Sequence, residues 1–323
     1  MTEKEINKIL RRRFCTAGWT LLIYYGILNV MVLLTMFVQG MADALEMIRA
    51  GALPDPGKLT AGIAGNAWGY LYAAAVGLVI LIGWKGLPFL GKEMWRPRGK
   101  MDSASFLSVL CVFVSTQLVF SVLTGLLNAL LSPLGVDITA SVEAATMQSS
   151  SVSMLLYGCL VAPLTEELLF RGLIQGMLRP YGKRFGIIAS AFLFGMYHGN
   201  LVQTPYAFAV GLVLGYVAEE YSLGWCVLLH MFNNLVLGSL LPGLAGMLPG
   251  ISGALLQGGI LLAFSVAALG VLVVNIPKIR NYREANRMDG RCLTCFFSNA
   301  GTIFFIVVFA ANMVLMLSLG ASG

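Results

Sequence analysis

Long runs free of Asp, Glu, Lys and Arg set the pattern of this chain: 14–42, 59–84, 103–136, 144–165 continuing past a charged cluster to 178, 185–218, 221–277 and 292–323. A hydrocarbon layer about 30 Å thick needs roughly 20 apolar residues in helical form to cross it. The runs are therefore read as membrane spans. Two are too long for one crossing. Gly199, Asn200, Gln203 and Pro205 interrupt the first of these, and Pro242, Gly243, Pro249 and Gly250 the second, all turn formers at plausible span ends. The pattern predicts an all-α, polytopic integral membrane bundle of eight or nine spans, near 17–39, 62–84, 105–128, 151–178, 186–199, 205–220, 224–241, 252–276 and 301–320. The pieces between spans are too short for a separate soluble domain. Organisation is expected as an N-terminal membrane region (1–148), a central core (149–241) and a C-terminal membrane region (242–323).

Charge then orients the bundle. All but three of the 21 Lys and Arg fall in four alternate loops or termini: Lys4 to Arg13, Lys85 to Lys100, Arg179 to Arg184, and Lys278 to Arg291. Basic residues collect on the cytoplasmic side, which places the N-terminus inside and the C-terminus outside. The net charge of +6 is thus a sidedness signal, and no nucleic-acid partner is expected. The first run is too long for a cleaved leader and reads as a retained anchor. With 58% hydrophobic and 11% charged residues, an ordinary soluble domain is excluded. The six cysteines are scattered through apolar stretches, so they define no disulfide framework, and Cys292-x-x-Cys295 has no second pair to complete a zinc site. Glu219 and Glu220 read as a solvated helix end, and Gly211-x-x-x-Gly215 as a close-packing face.

Ionisable groups inside spans are expensive and mark candidate chemistry. They are Glu166, Glu167, Arg171, His198 and His230, the last two being the chain's only histidines, with Asn234 one turn after His230. Counting at 1.5 Å per residue from the cytoplasmic ends puts Glu166 and His198 at roughly 18 Å, Asn234 at roughly 15 Å and His230 at roughly 9 Å. Neighbours on a helix point about 100° apart, while i,i+4 residues share a face. Glu167 and Arg171 are therefore expected to neutralise each other, leaving Glu166 free. A base, a second base and hydrogen-bond donors, without a Ser or Cys nucleophile, suit attack of water on an acyl bond. On that reading Glu166 and His198 activate water, and His230 and Asn234 hold the oxyanion. The same Glu166, His198 and His230 are also enough for a catalytic zinc, although H-E-x-x-H is missing. A structural salt bridge, interhelical histidine bonds and a packing amide are the plainer alternatives.

Glu166-Glu167-x-x-x-Arg171, Phe194-x-x-x-His198 and His230-x-x-x-Asn234, in this order, resemble the three motifs of the CAAX protease and bacteriocin-processing family of intramembrane proteases. The likeness covers about residues 150–240. It implies a helical membrane fold with a cavity open to the cytoplasmic side and to lipid, and a glutamate-type peptidase, in a family long called metalloproteases, in which Glu166 and His198 activate water. No cofactor is then required. Partners would be membrane lipid and a membrane-anchored, lipidated or secreted peptide, and the setting a bacterial cytoplasmic membrane. Members acting in bacteriocin immunity without a known substrate, and a proton-coupled transporter with midplane Glu and His, are the competing functions.

Overall fold

The computed structural model describes residues 2–59, 67–85, 91–136, 138, 142 and 151–321. Residues 62–66 of the predicted second span, the 148/149 boundary, and the side chains of Trp84, Lys85 and Lys92 lie outside that set. The described residues form a helical membrane bundle without strands. Its helices are α1 (Glu3–Arg49), α2 (Trp68–Lys85), α3 (Ser103–Leu131), α4 (Val152–Tyr181), α5 (Lys183–Tyr197), α6 (Gln203–Glu220), α7 (Leu223–Gly246), α8 (Ser252–Val274), α9 (Ile276–Ala285), α10 (Gly290–Phe297) and α11 (Ala300–Ala321). Six of these are long and apolar enough to cross a membrane: α1, α3, α4, α7, α8 and α11. The stretch 277–299, expected to lie between spans, is mostly helical, in the short α9 and α10.

Local chemistry sets the helix ends. Thr2 and Glu5 cap α1 reciprocally, the Glu5 N–H donating to Thr2 Oγ1 at 3.3 Å and the Thr2 N–H to Glu5 Oε2 at 2.7 Å. Asp102 accepts the Ser105 N–H at the start of α3, and that hydrogen bond holds its carboxyl below the usual carboxylate range. At 47 residues α1 is about 70 Å long, more than twice the hydrocarbon thickness. Its first half packs through Phe14, Ala17, Leu21 and Tyr24, while Leu33, Phe37 and Val38 point outward. A lipid-facing apolar surface needs no other partner.

Pairing follows the small residues. Gly18 of α1 and Gly301 of α11 bring the two backbones together: a Cβ on Gly18 would lie 2.3 Å from the Gly301 carbonyl carbon. The Gly211/Gly215 face does the same for α6, where added Cβ atoms would meet Ala191 and Arg171 at one level and Gln175 and Ile187 at the next. Close backbone approach of this kind is how helices associate where burial of apolar surface gives no driving force. α4 and α6 then run side by side in the same direction, joined by three rungs one turn apart. Arg171 Nη2 donates to the Gly211 carbonyl at 3.3 Å, Gln175 Nε2 to the Gly215 carbonyl at 2.9 Å, and Arg179 Nε to Glu219 Oε1 at 2.8 Å.

The lowest rung corrects the reading of Glu219 as a solvated end. It is buried at 1% exposure, with Arg98 Nη1 on its second oxygen at 2.8 Å and Lys183 Nζ at 3.8 Å. Glu220 binds Lys183 at 3.0 Å and accepts from the Tyr282 hydroxyl at 2.9 Å. Burial, then Glu220, raises the Tyr282 hydroxyl well above its ordinary pKa. The segments from 96–100, α4, α5, α6 and α9 are thus tied at the basic end of the bundle.

Candidate active site

Two helices of the site are not regular. α4 widens to i→i+5 turns over Tyr157–Val161 and Leu168–Gln175, and α7 over Asn233–Leu240. Pro163 lies just past the first, where its ring nitrogen donates no hydrogen bond. The regular stretch Ala162–Glu167 between the wide turns carries both glutamates, and Asn233 and Asn234 open the wide turn of α7. Single wide turns inside α-helices recur at functional sites because they re-aim side chains by a fraction of a turn.

The glutamates divide as their phase requires. Glu167 is wholly buried; its Oε1 accepts from Arg171 Nη1 at 3.0 Å and faces His230 Nδ1 at 2.8 Å. The Arg171 guanidinium also lies 4.3 Å from the centre of the Phe194 ring. Glu166 instead keeps 24% of its side chain exposed, in a cavity of about 380 Å³ that His198 also lines. Its Oε2 stands 3.9 Å from His230 Nε2. The expected ion pair is present, and it reaches one imidazole further than the sequence indicated.

His198 closes α5, followed by Gly199 in the left-handed region at φ +57°. A Cβ there would meet Asn312 Nδ2 of α11 at 2.4 Å, so glycine serves both the backbone conformation and the close approach. His198 Nδ1 lies 2.8 Å from the Phe194 carbonyl, which only accepts, so Nδ1 carries a proton and Nε2 is the nitrogen that bears the lone pair when the ring is neutral. Phe194 packs edge-on against both imidazoles, with ring centres 4.9 Å from His198 and 5.8 Å from His230. That position accounts for an aromatic residue one turn before His198.

Asn234 sits apart from this cluster, outside the described lining of the cavity. Its Nδ2 donates to the Gly158 carbonyl at 2.7 Å, and its Oδ1 accepts from Asn233 Nδ2 at 3.0 Å. Asn233 Oδ1 in turn accepts from the Tyr206 hydroxyl at 2.9 Å and Gln117 Nε2 at 3.1 Å. This network joins α3, α6, α7 and α4. Gln117 and Tyr206 were not singled out from the sequence, where attention went to ionisable groups; each is nevertheless a polar side chain inside an apolar run, and that was the available signal. The tyrosines of the cavity wall, Tyr24, Tyr25, Tyr70, Tyr157 and Tyr197, were missed for the same reason.

Among the described residues no group of three or more His, Cys, Asp or Glu side chains is arranged to hold a metal ion. The chemistry on offer is proton transfer: a carboxyl and an imidazole on the wall of one cavity, and a second imidazole backed by a charge-neutral pair.

Comparison with curated proteins and with solved structures gives no match. A family model described as type II CAAX prenyl endopeptidase Rce1-like matches residues 148–236, the stretch that holds both glutamates, Arg171, both histidines and Asn234. The match covers well under half of the chain, and it is this membrane-embedded segment that is similar to the Rce1-like peptidases.

Proposed function

We propose that the protein is an intramembrane endopeptidase that cleaves a membrane-associated peptide with water activated by Glu166 and His198. The observation that carries the reading is the Glu166 carboxyl, open to the same cavity as His198 and 3.9 Å from His230, while its neighbour Glu167 is sealed away against Arg171. In the reaction Glu166, with His198 on the wall of the same cavity, takes a proton from water as the oxygen adds to the peptide carbonyl. The carbonyl electrons move onto oxygen. As the C–N bond breaks, the proton passes to the departing nitrogen, leaving a carboxylic acid and an amine. His230, with its Nδ1 on Glu167, donates to the oxyanion from Nε2 when that nitrogen also carries a proton. Asn234 is the second donor once its amide turns from the Gly158 carbonyl toward the cavity. Basic residues at the Glu219 end place that end on the cytoplasmic side.

The test uses protein reconstituted in vesicles with a library of fluorescent peptides on lipid anchors. Wild type is expected to cut a subset, and Glu166→Ala and His198→Ala are expected to cut none while remaining folded. Stringent chelation is expected to leave wild-type cleavage intact. Uptake coupled to protons and abolished by both substitutions, with no cleavage, would overturn the reading in favour of transport.

A further inference from the structure

α9 is a ten-residue helix with no buried residue. A helix that short is marginal in water unless something covers one of its faces. Two contacts tie it to the bundle: the Tyr282 hydroxyl donates to Glu220 Oε1 at 2.9 Å, and Arg184 Nη1 donates to the Arg283 carbonyl at 3.3 Å. Neither covers the face on which Ile276, Ile279, Arg280 and Arg283 fall, at i, i+3, i+4 and i+7. The two isoleucines are 57% and 40% exposed, and they continue the outward-facing Val273 and Val274 at the end of α8. The apolar surface of a span therefore runs on, without a break, onto a helix that is otherwise basic. Arg280 has only an exposed i,i+4 pair with Glu284, at 3.0 Å, which holds it weakly. Lys278, Arg283 and Arg287 form no ion pair among the described residues.

We propose that α9 lies along the cytoplasmic surface of the bilayer and binds the phosphates of anionic lipids through Arg280 and Arg283, with Ile276 and Ile279 seated among the first acyl carbons. Arginine suits that depth: its stem rests on apolar surface while the planar guanidinium takes two phosphate oxygens at once. A soluble acidic protein or free phosphate would match the cations and leave the isoleucines in water. A lipid leaflet supplies the acyl layer and the phosphates together, directly beside the end of a span. Tyr282, on the flank of the same helix, fixes its height by holding it to Glu220. This role is independent of peptide cleavage.

The test follows amide hydrogen exchange over α9 in the full chain, reconstituted in phosphatidylcholine vesicles with or without about one-third phosphatidylglycerol. Each cation near an anionic surface strengthens association about fivefold, so wild type is expected to exchange at least about tenfold more slowly in the anionic vesicles. Lys278→Gln, on the opposite side of α9, is expected to keep that difference. The double variant Arg280→Gln, Arg283→Gln is expected to lose it, with exchange over α4 and α6 as in wild type. Should the double variant unfold, Arg280→Gln alone is read by the same criterion, since its side chain is 78% exposed. Equal exchange of wild-type α9 in the two vesicles overturns the proposal, as does full anionic protection in the arginine variant. Protection in phosphatidylcholine vesicles restored by soluble inorganic phosphate also overturns it, because the ligand would then be a free anion and not the leaflet.

Discussion

At Glu167 one carboxylate oxygen serves both an arginine and an imidazole, all three side chains buried. Removing one member of a buried pair leaves the other charge uncompensated, at a cost of about 3–5 kcal/mol. Arg171→Met and Glu167→Gln are therefore expected to lower the melting temperature in detergent sharply, whatever they do to cleavage. Arg171→Lys should also destabilise, because a single ammonium cannot reach Glu167, the Gly211 carbonyl and the Phe194 face together. Glu166 makes none of these bonds, so Glu166→Gln is expected to melt within a few degrees of wild type. Melting curves of the four proteins decide the point, and a Glu166 variant as unstable as the Glu167 variant would reverse the assignment. The Glu167–Arg171 pair was legible in the sequence, since an i,i+4 carboxylate and guanidinium on an apolar helix have few ways to be satisfied. The hydrogen bond from His230 to Glu167 was not legible, because nothing in either segment fixes how α4 and α7 rotate against each other.

Helix by helix, the site depends on turns that depart from the 3.6-residue repeat. Tyr206 and Gln117 both reach Asn233 at the start of the wide turn of α7, and a typical neutral hydrogen bond contributes about 0.5–1.5 kcal/mol. Tyr206→Phe and Gln117→Leu are each expected to slow cleavage several-fold through kcat with KM little changed, because the amide of Asn234 loses its orientation and not its partner substrate. A change confined to KM would remove them from the oxyanion arrangement. The boundaries of several long helices follow the apolar runs closely, as for α8, expected at 252–276 and found at Ser252–Val274, whereas α1, expected at 17–39, is helical from Glu3 to Arg49, its polar flanks continuing the helix past the apolar run. The wide turns were invisible by contrast, since Tyr157–Val161 and Asn233–Leu240 carry the same apolar residues as any regular span. Asn234 illustrates the consequence. Its i,i+4 spacing from His230 predicts one shared face, yet the helix changes pitch at Asn233 and the amide turns to the Gly158 carbonyl.

On the scale of the whole bundle, apolar runs and basic loops define the architecture, while small residues and buried charges hold it. Gly18→Leu is expected to force α1 from α11 at the Gly301 contact and to lower the yield of folded protein, since no rotamer of a larger side chain clears a backbone 2.3 Å from its Cβ. Glu219→Ala would leave Arg98, Arg179 and Lys183 facing one another; loss of stability is expected, greater at low than at high ionic strength because salt screens the half-exposed cations. A gain in stability on that substitution would show that the cluster serves something other than cohesion. The sequence placed these basic residues correctly on one side but left Glu219 in solvent, because hydropathy does not distinguish a charged helix end in water from one covered by a neighbouring loop. Convergence of Glu166 and His198 on one cavity remains the claim on which the chemistry depends, and single-turnover cleavage with chelator present tests it most directly. Glu166→Gln, matched to wild type for folded protein, is expected to be about 10² to 10⁴ times slower; a rate within a few-fold of wild type would contradict it.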